Sequence, residues 1–235
     1  MPDIQALLQA GLTQLGLSPD TAPQLERYGQ LLTEKNQVMN LTAITDPVEV
    51  AQKHMLDCAA LLGAARFQGK SVIDVGSGAG FPGLVLKLCE GSIDLTLLDS
   101  LQKRVDWLEE AAQTLGVSVT ALHGRAEELG KTPELREQFD IATARAVADL
   151  RILCELCLPL VKVGGVFLAM KAEDCRDEVD AAGRCISLLG GRLLKSYTYQ
   201  VPGTDLTRRV IRVEKIAPTA EKYPRRFARI QKAPL

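Results

Sequence analysis

The sequence predicts an α/β protein: a mostly parallel, seven-stranded sheet with helices on both faces, an antiparallel hairpin at its C-terminal edge and a helical extension at its N-terminus. Three observations carry this reading. Val72, Ile73 and Val75 form a β-branched run that breaks at Gly76-Ser-Gly-Ala-Gly80 and passes into an apolar segment, the strand, glycine turn and helix that open a nucleotide-binding unit. Strand and helix patterns then alternate to about residue 189. Two strand patterns follow with no helix between them, so they pair as a hairpin.

Each element follows from its own pattern. Residues 3–17 hold Ile4, Leu7, Leu8, Leu12 and Leu15 at helical spacing and stop at Gly16-Leu-Ser-Pro19. A second helix is predicted over about 21–38, with Leu25, Tyr28, Leu31, Leu32 and Val38 in one stripe. Asn40-Leu-Thr-Ala-Ile44 leads to a third helix, which Asp46 caps, Pro47 starts and Glu49 completes as a capping box; it carries His54 and Asp57 to about Leu62. Residues 1–66 thus read as a helical extension packed on a domain of residues 67–235. Inside the domain, strands are predicted over 72–75, 93–99, 117–122, 139–144 and 164–171, and helices over 81–88, 101–115, 150–158 and 177–189. Gly190-Gly191 turns into the last two strands, about 192–201 and 208–216.

Composition narrows the function classes. With 46% hydrophobic and 24% charged residues the chain is an ordinary globular sequence, and no apolar run reaches the ~18 residues of a membrane span. Met-Pro-Asp-Ile-Gln5 lacks the basic start of a signal peptide, so a cytoplasmic protein is expected. Cys154-Glu-Leu-Cys157 raises metal or redox chemistry, but it has no second pair, and both histidines (54 and 123) lie far away. The pair falls at helical spacing among leucines and reads as packed small hydrophobes; no metal is expected. The net charge of −1 hides an asymmetry: residues 192–235 hold eleven Lys/Arg against three acids, which leaves the preceding part at −9. Such a basic end points to a polyanionic partner, or is a solvated tail.

The glycine turn carries the chemistry. Its third glycine, Gly80, comes one residue earlier than in the dinucleotide fingerprint, Phe81 takes the usual glycine place, and Asp74 stands two residues before Gly76. The form D-x-G-x-G-x-G resembles the S-adenosylmethionine (AdoMet) loop of class I methyltransferases; a generic turn and a nicotinamide dinucleotide site are the alternatives. Gly76 and Gly78 let a ligand approach the backbone, and the helix start offers N–H groups to an anion. Asp99, at the end of the next strand and 23 residues after Gly76, is placed to accept ribose hydroxyls.

In an open parallel sheet, ligands lie beyond the carboxyl ends of the strands. Those ends deliver Gly76, Asp99, Arg125 to Glu127, Arg145 and Lys171 to one edge. Ala126 and Glu127 suit the adenine, and Phe81 packs at the loop-to-helix junction. Arg145 and Lys171 flank the entry of a methyl acceptor, or are surface cations; His54 is an acceptor-side residue or a packed histidine near Asp57. After the fourth strand no Asn/Asp-Pro-Pro-Tyr/Phe stands to hold an exocyclic amine, and no Pro-Cys to attack a pyrimidine; the sequence is Ala142-Thr-Ala-Arg-Ala146. An acceptor with an exposed lone pair, such as guanine N7, needs neither device. It needs a positioned base and a donor near O6, for which Arg145 is the candidate; no general base is assigned.

Asn40-Leu-Thr-Ala-Ile44, His54-x-Leu-Asp57, Asp74 to Gly83, Leu97-Leu-Asp-Ser100, Lys103-Arg104, Arg125-Ala-Glu127, Ala144-Arg-Ala-Val-Ala148 and Lys171 follow the order of one family. From about residue 25 to the C-terminus the chain resembles the RsmG (formerly GidB) family of bacterial small-subunit rRNA methyltransferases. The resemblance implies AdoMet as methyl donor, N7 of guanine-527 in the 530 loop of 16S rRNA as acceptor, and the 30S subunit as partner, with a monomer expected. It places cofactor contacts on Gly76, Phe81, Ala126, Glu127 and Arg145. It matches Asn40, His54 and Lys171 to family motif positions, and Tyr223-Pro-Arg-Arg-Phe-Ala-Arg229, with Arg225 and Arg226, to the family's basic end. Ala144 departs from the Ser that many relatives carry before the arginine. A methyltransferase acting on a small molecule or protein, and a non-catalytic AdoMet-dependent RNA-binding protein, are the competing functions.

Overall fold

The computed structural model describes residues 3–145 and 148–235. Four parallel pairings build the sheet: β1 (Ser71–Val75) between β2 (Asp94–Asp99) and β4 (Phe139–Arg145), β3 (Thr120–His123) outside β2, and β5 (Val161–Ala172) outside β4. β8 (Thr207–Lys215) then runs antiparallel beside β5, and β6 (Gly191–Leu193) and β7 (Tyr197–Gln200) both pair with its other edge. The order is β3-β2-β1-β4-β5-β8-β6, with β7 continuing the edge. The expected sixth strand is therefore broken into two, giving eight strands among the described residues. Its register slips by one residue between Leu193↔Val213 and Tyr197↔Val210, so three residues face two across a bulge. The third strand starts later than the apolar pattern implies, because the Val117 N–H is spent closing the preceding helix on Ala112 O at 3.0 Å.

The sheet is buried on both faces, which its β-branched strands require. Val72, Leu95 and Leu97 point into one apolar cluster, and Ile73, Leu98 and Ala142 into the other. The N-terminal helices α1 (Ile4–Gln14) and α2 (Ala22–Met39) supply Leu8, Leu12, Leu25, Tyr28 and Leu32 to the first cluster, where they meet Leu84, Trp107 and Leu108. Cys154 and Cys157 sit fully buried in the second among Leu150, Leu153 and Leu158. Burial pushes both thiols well above their ordinary range. Among the described residues no group of three or more His, Cys, Asp or Glu is arranged to hold a metal ion. No described helix is long and apolar enough to cross a membrane.

The helix over residues 47–64 is not a regular α-helix as its pattern predicts: it widens to a π-type turn over Ala51–Leu56. Such a turn re-aims side chains, and here it carries His54. The basic C-terminal quarter is also less free than its charge implies. Lys215 is fully buried, where its ammonium donates to the carbonyls of Leu158 (2.6 Å) and Val161 (3.2 Å) and to Thr219 Oγ1 (2.8 Å) and pairs with Glu137 at 3.0 Å. Beyond it, Arg136 donates to the carbonyls of Thr219 (2.6 Å) and Tyr223 (2.9 Å), which ties the chain down before its last helix, Phe227–Lys232.

Candidate active site

The parallel registers align the strand ends: Val75 with Leu98, Asp99 with His123, Arg145 with Met170. The turn after β1, at the switch point between β2 and β4, is thereby brought beside Asp99 and Arg145. All three of its glycines have positive φ, +73° at Gly76, +58° at Gly78 and +106° at Gly80, but they answer different needs. A Cβ on Gly76 would meet nothing, and one on Gly78 only the Gly76 carbonyl at 3.8 Å, so both border open space and leave the backbone accessible. A Cβ on Gly80 would lie 2.4 Å from the Tyr28 hydroxyl and 2.7 Å from Leu84, so that glycine serves packing. The loop is held from behind: Tyr28 Oη and Trp107 Nε1 both donate to Ala79 O, at 2.6 and 3.1 Å.

Two expectations about this loop change. The helix start is closed by the protein's own carboxylate. Asp74 Oδ2 accepts the Gly83 N–H at 3.0 Å, Oδ1 accepts the Thr143 hydroxyl at 3.1 Å, and the Leu84 N–H goes to Gly80 O. Burial raises Asp74 to about 6 despite these donors. Asp99, also buried, already accepts the N–H of Gly78 on Oδ2 (2.9 Å) and of Leu101 on Oδ1 (3.0 Å). It organises the turn, and each oxygen retains a second lone pair for a ligand hydroxyl. Ala126 and Glu127 begin the short helix Ala126–Leu129 after β3, both nearly buried, with Arg125 at 3.6 Å from Glu127.

The other side of the site is built around Phe81. His54 stacks on its ring (centroids 4.6 Å apart, 22° between planes), and the Arg145 guanidinium lies 4.9 Å from the centroid. Arg145 Nη2 donates to His54 Nδ1 at 2.9 Å and Nη1 to Lys53 O at 3.3 Å. An arginine only donates, so Nδ1 carries no proton and Nε2–H donates to Thr42 Oγ1 at 2.8 Å. Burial first, and Arg145 second, lower His54 to about 4. His54, Asp57, Arg145, Lys171, Tyr199 and Arg208 line a cavity of about 450 Å³ beside the loop. Lys171 is anchored at its wall, donating to Ala148 O and Glu178 Oε1, both at 2.6 Å.

The lowered His54 has a measurable consequence. In the unfolded chain it takes a proton near pH 6.5, whereas in the native site it stays neutral to about 4. Stability from this group is therefore complete above 6.5, falls as the pH drops towards 4 and levels off below that, by about 3 kcal/mol in all. Asp74, raised to about 6, acts with the opposite sign between 3.8 and 6, so the histidine must be read by difference. The gap in unfolding free energy between wild type and His54→Asn is expected to shrink by that amount between pH 7 and 4 in urea titrations. A gap independent of pH would contradict a neutral His54.

Three motif residues fall outside the cavity. Asn40 is exposed and ends α2 in the left-handed conformation, φ +45°, which asparagine tolerates. The polar work at that turn is done by Asn36, whose Oδ1 accepts the N–H groups of Leu41 (2.6 Å) and Thr42 (2.9 Å) and whose Nδ2 donates to Thr42 O (2.9 Å). Arg225 is not available to a phosphate: its Nε and Nη2 clamp the fully buried Glu155 at 2.6–3.1 Å, and Nη1 donates to Ala233 O. Arg226 is exposed, but with Phe227 it borders a separate cleft of about 630 Å³ against Arg125 and Glu127. Of the Ala144-Arg-Ala-Val-Ala148 motif, Ala146 and Val147 lie outside the described residues. Sequence reasoning missed Thr42, Tyr199 and Arg208 as members of the site. The alternation in Tyr197-Thr-Tyr199 marks a strand, but only its pairing with β8 shows that Tyr199 and Arg208 come together.

A family model for rRNA small subunit methyltransferase G (GidB) matches residues 21–204. Ribosomal RNA small subunit methyltransferase G of Symbiobacterium thermophilum is 45% identical over 240 residues, 98% of each chain. That of Alkaliphilus metalliredigens is 43% identical over 233 residues, 97% of this chain and 98% of the relative. Among solved structures, a SAM-dependent O-methyltransferase from Thermotoga maritima superposes with a TM-score of 0.54 at 17% identity, over 80% of this chain and 72% of that one. TrmN from Thermus thermophilus does so at 0.53 and 20% identity, over 82% and 53%. These two share the fold. The chain belongs to the rRNA small subunit methyltransferase G family.

Proposed function

We propose that the protein transfers a methyl group from AdoMet to N7 of a guanine in 16S rRNA, guanine-527 of the 530 loop. The observation that carries this reading is the junction of two different surfaces at Phe81. On one side lies the accessible backbone of Gly76 and Gly78; on the other lies a polar cavity walled by Arg145, with His54 kept neutral. Gly76 and Gly78 would admit the cofactor to the backbone, Asp99 would take ribose hydroxyls on its remaining lone pairs, and Ala126 and Glu127 would meet the adenine. AdoMet, when bound, supplies an electrophilic methyl group on a sulfonium.

The chain's own residues then have only to orient the acceptor, because guanine N7 presents its lone pair without deprotonation. In-line placement accounts for much of the rate in such a displacement. Arg145, fixed by His54 and the Lys53 carbonyl, directs a donor to O6, the acceptor next to N7. An acceptor that needs no deprotonation fits the state of His54, which would be a poor proton acceptor at neutral pH.

The test is methyl transfer from labelled AdoMet to unmethylated 30S subunits and to protein-free 16S rRNA, followed by borohydride–aniline cleavage. A single break in the 530 loop is the expected result. Label without a break would discard N7, and no label on either RNA would discard the rRNA acceptor. The two substrates also separate recognition of naked rRNA from recognition of the assembled particle.

A further inference from the structure

The acceptor cavity contains a buried carboxylate for which methyl transfer to N7 has no direct use. Asp57, 5% exposed, lies between two guanidiniums, with Arg145 Nη1 3.7 Å from Oδ2 and Arg208 Nε 3.7 Å from Oδ1. Tyr199 Oη donates to Oδ1 at 2.7 Å and reaches the Asp57 carbonyl at 3.1 Å. The four residues come from three separate parts of the chain: the helix over 47–64, β4, and the β7–β8 hairpin. All four line the same cavity.

Two arginines brought side by side in a partly dry cavity repel each other, and each loses hydration. A single carboxylate between them offsets both costs and sets their spacing. Arg145 is largely committed to this scaffold through His54, Lys53 O and Phe81. Arg208 differs: among the described residues its guanidinium has no hydrogen bond, and its side chain is 31% exposed. Its planar fork suits the bidentate grip of a phosphate.

We propose that Asp57, steadied by Tyr199, is a positioning residue that holds Arg208 beside Arg145 as a two-pronged grip on the target nucleotide. Arg145 serves the base and Arg208 the phosphate group of the same or the adjoining nucleotide. This rests on the reading of the cavity as the site of an RNA acceptor. Asp57 itself does not touch the reacting atoms; its effect passes through Arg208. Without its negative charge Arg208 loses its partner in the cavity wall and swings towards solvent.

A double-mutant cycle on the full chain tests this, with steady-state methylation of unmethylated 30S subunits at saturating AdoMet. Asp57→Asn keeps the shape and an acceptor for Tyr199 but removes the charge. It is expected to lower kcat/KM for the subunit by about 10-fold or more, chiefly through KM. Arg208→Ala should cost at least as much, and the double variant should be no worse than Arg208→Ala alone. Tyr199→Phe, which keeps every charge, should cost several-fold and follow the same non-additive pattern, so the conclusion does not depend on one variant folding. Multiplying effects in the double variant would overturn the proposal, as would an Asp57→Asn enzyme within twofold of wild type. A wild-type protein that methylates neither 30S subunits nor free rRNA would instead overturn the reading of the cavity, and the grip with it.

Discussion

Arg145→Lys is expected to reduce kcat/KM for rRNA methylation by about 100-fold or more, roughly 2.7 kcal/mol of transition-state stabilisation. The substitution keeps the positive charge and removes the planar fork. The wild-type guanidinium donates to His54 Nδ1 and Lys53 O at once while lying over the Phe81 ring. One ammonium on a flexible stem cannot meet all three demands, so the donor that we propose serves the acceptor would lose its direction. Because the charge beside Asp57 and Asp74 survives, the fold should be retained. Single-turnover methylation with thermal unfolding of the same sample checks both statements. Activity within threefold of wild type would show that Arg145 acts only as a point charge.

Arg225→Ala should act on stability instead, at about 3–5 kcal/mol, because it strands Glu155 as a buried, uncompensated carboxylate. Against a total of about 5–15 kcal/mol for a domain, that is a large share. Replacing both partners by apolar residues, Arg225→Met with Glu155→Leu, is expected to recover most of the loss, since the pair is costly to break and cheap to remove together. Urea titrations of the three variants measure this. Arg226→Ala supplies the contrast: as an exposed cation it should change stability by less than about 0.5 kcal/mol. If it meets a phosphate, it should lower the salt slope of rRNA binding by about one. A stable Arg225→Ala variant with weakened rRNA binding would return Arg225 to the RNA surface and refute the structural assignment.

These two arginines show where sequence reasoning stopped. Both were marked by their motifs, and both stand where the sequence placed them, one at the end of β4 and one in the basic C-terminal stretch. Their partners are distant: His54 is 91 residues from Arg145, and Glu155 is 70 from Arg225. Local pattern carries no information about such pairs, so a basic motif read as an RNA contact turned out, at Arg225, to be an internal clamp. At Asn40 the structure adds a local reason that the motif did not show, a left-handed turn that ends α2.

What the sequence by itself determined is the set of features that depend on neighbours along the chain. The β-branched runs marked buried parallel strands, the missing helix before residue 208 marked the antiparallel edge, and three glycines within five residues marked a backbone turn with positive φ. These follow from steric and periodic rules that act over a few residues. Only the tertiary structure decided which glycines border open space and which face Tyr28, that Asp74 caps the following helix, and that Asp57 gathers Tyr199 and Arg208 from 142 and 151 residues away. Hydrogen bonds and ion pairs are set by where side chains meet after the sheet has closed, and that meeting is fixed by packing rather than by local pattern.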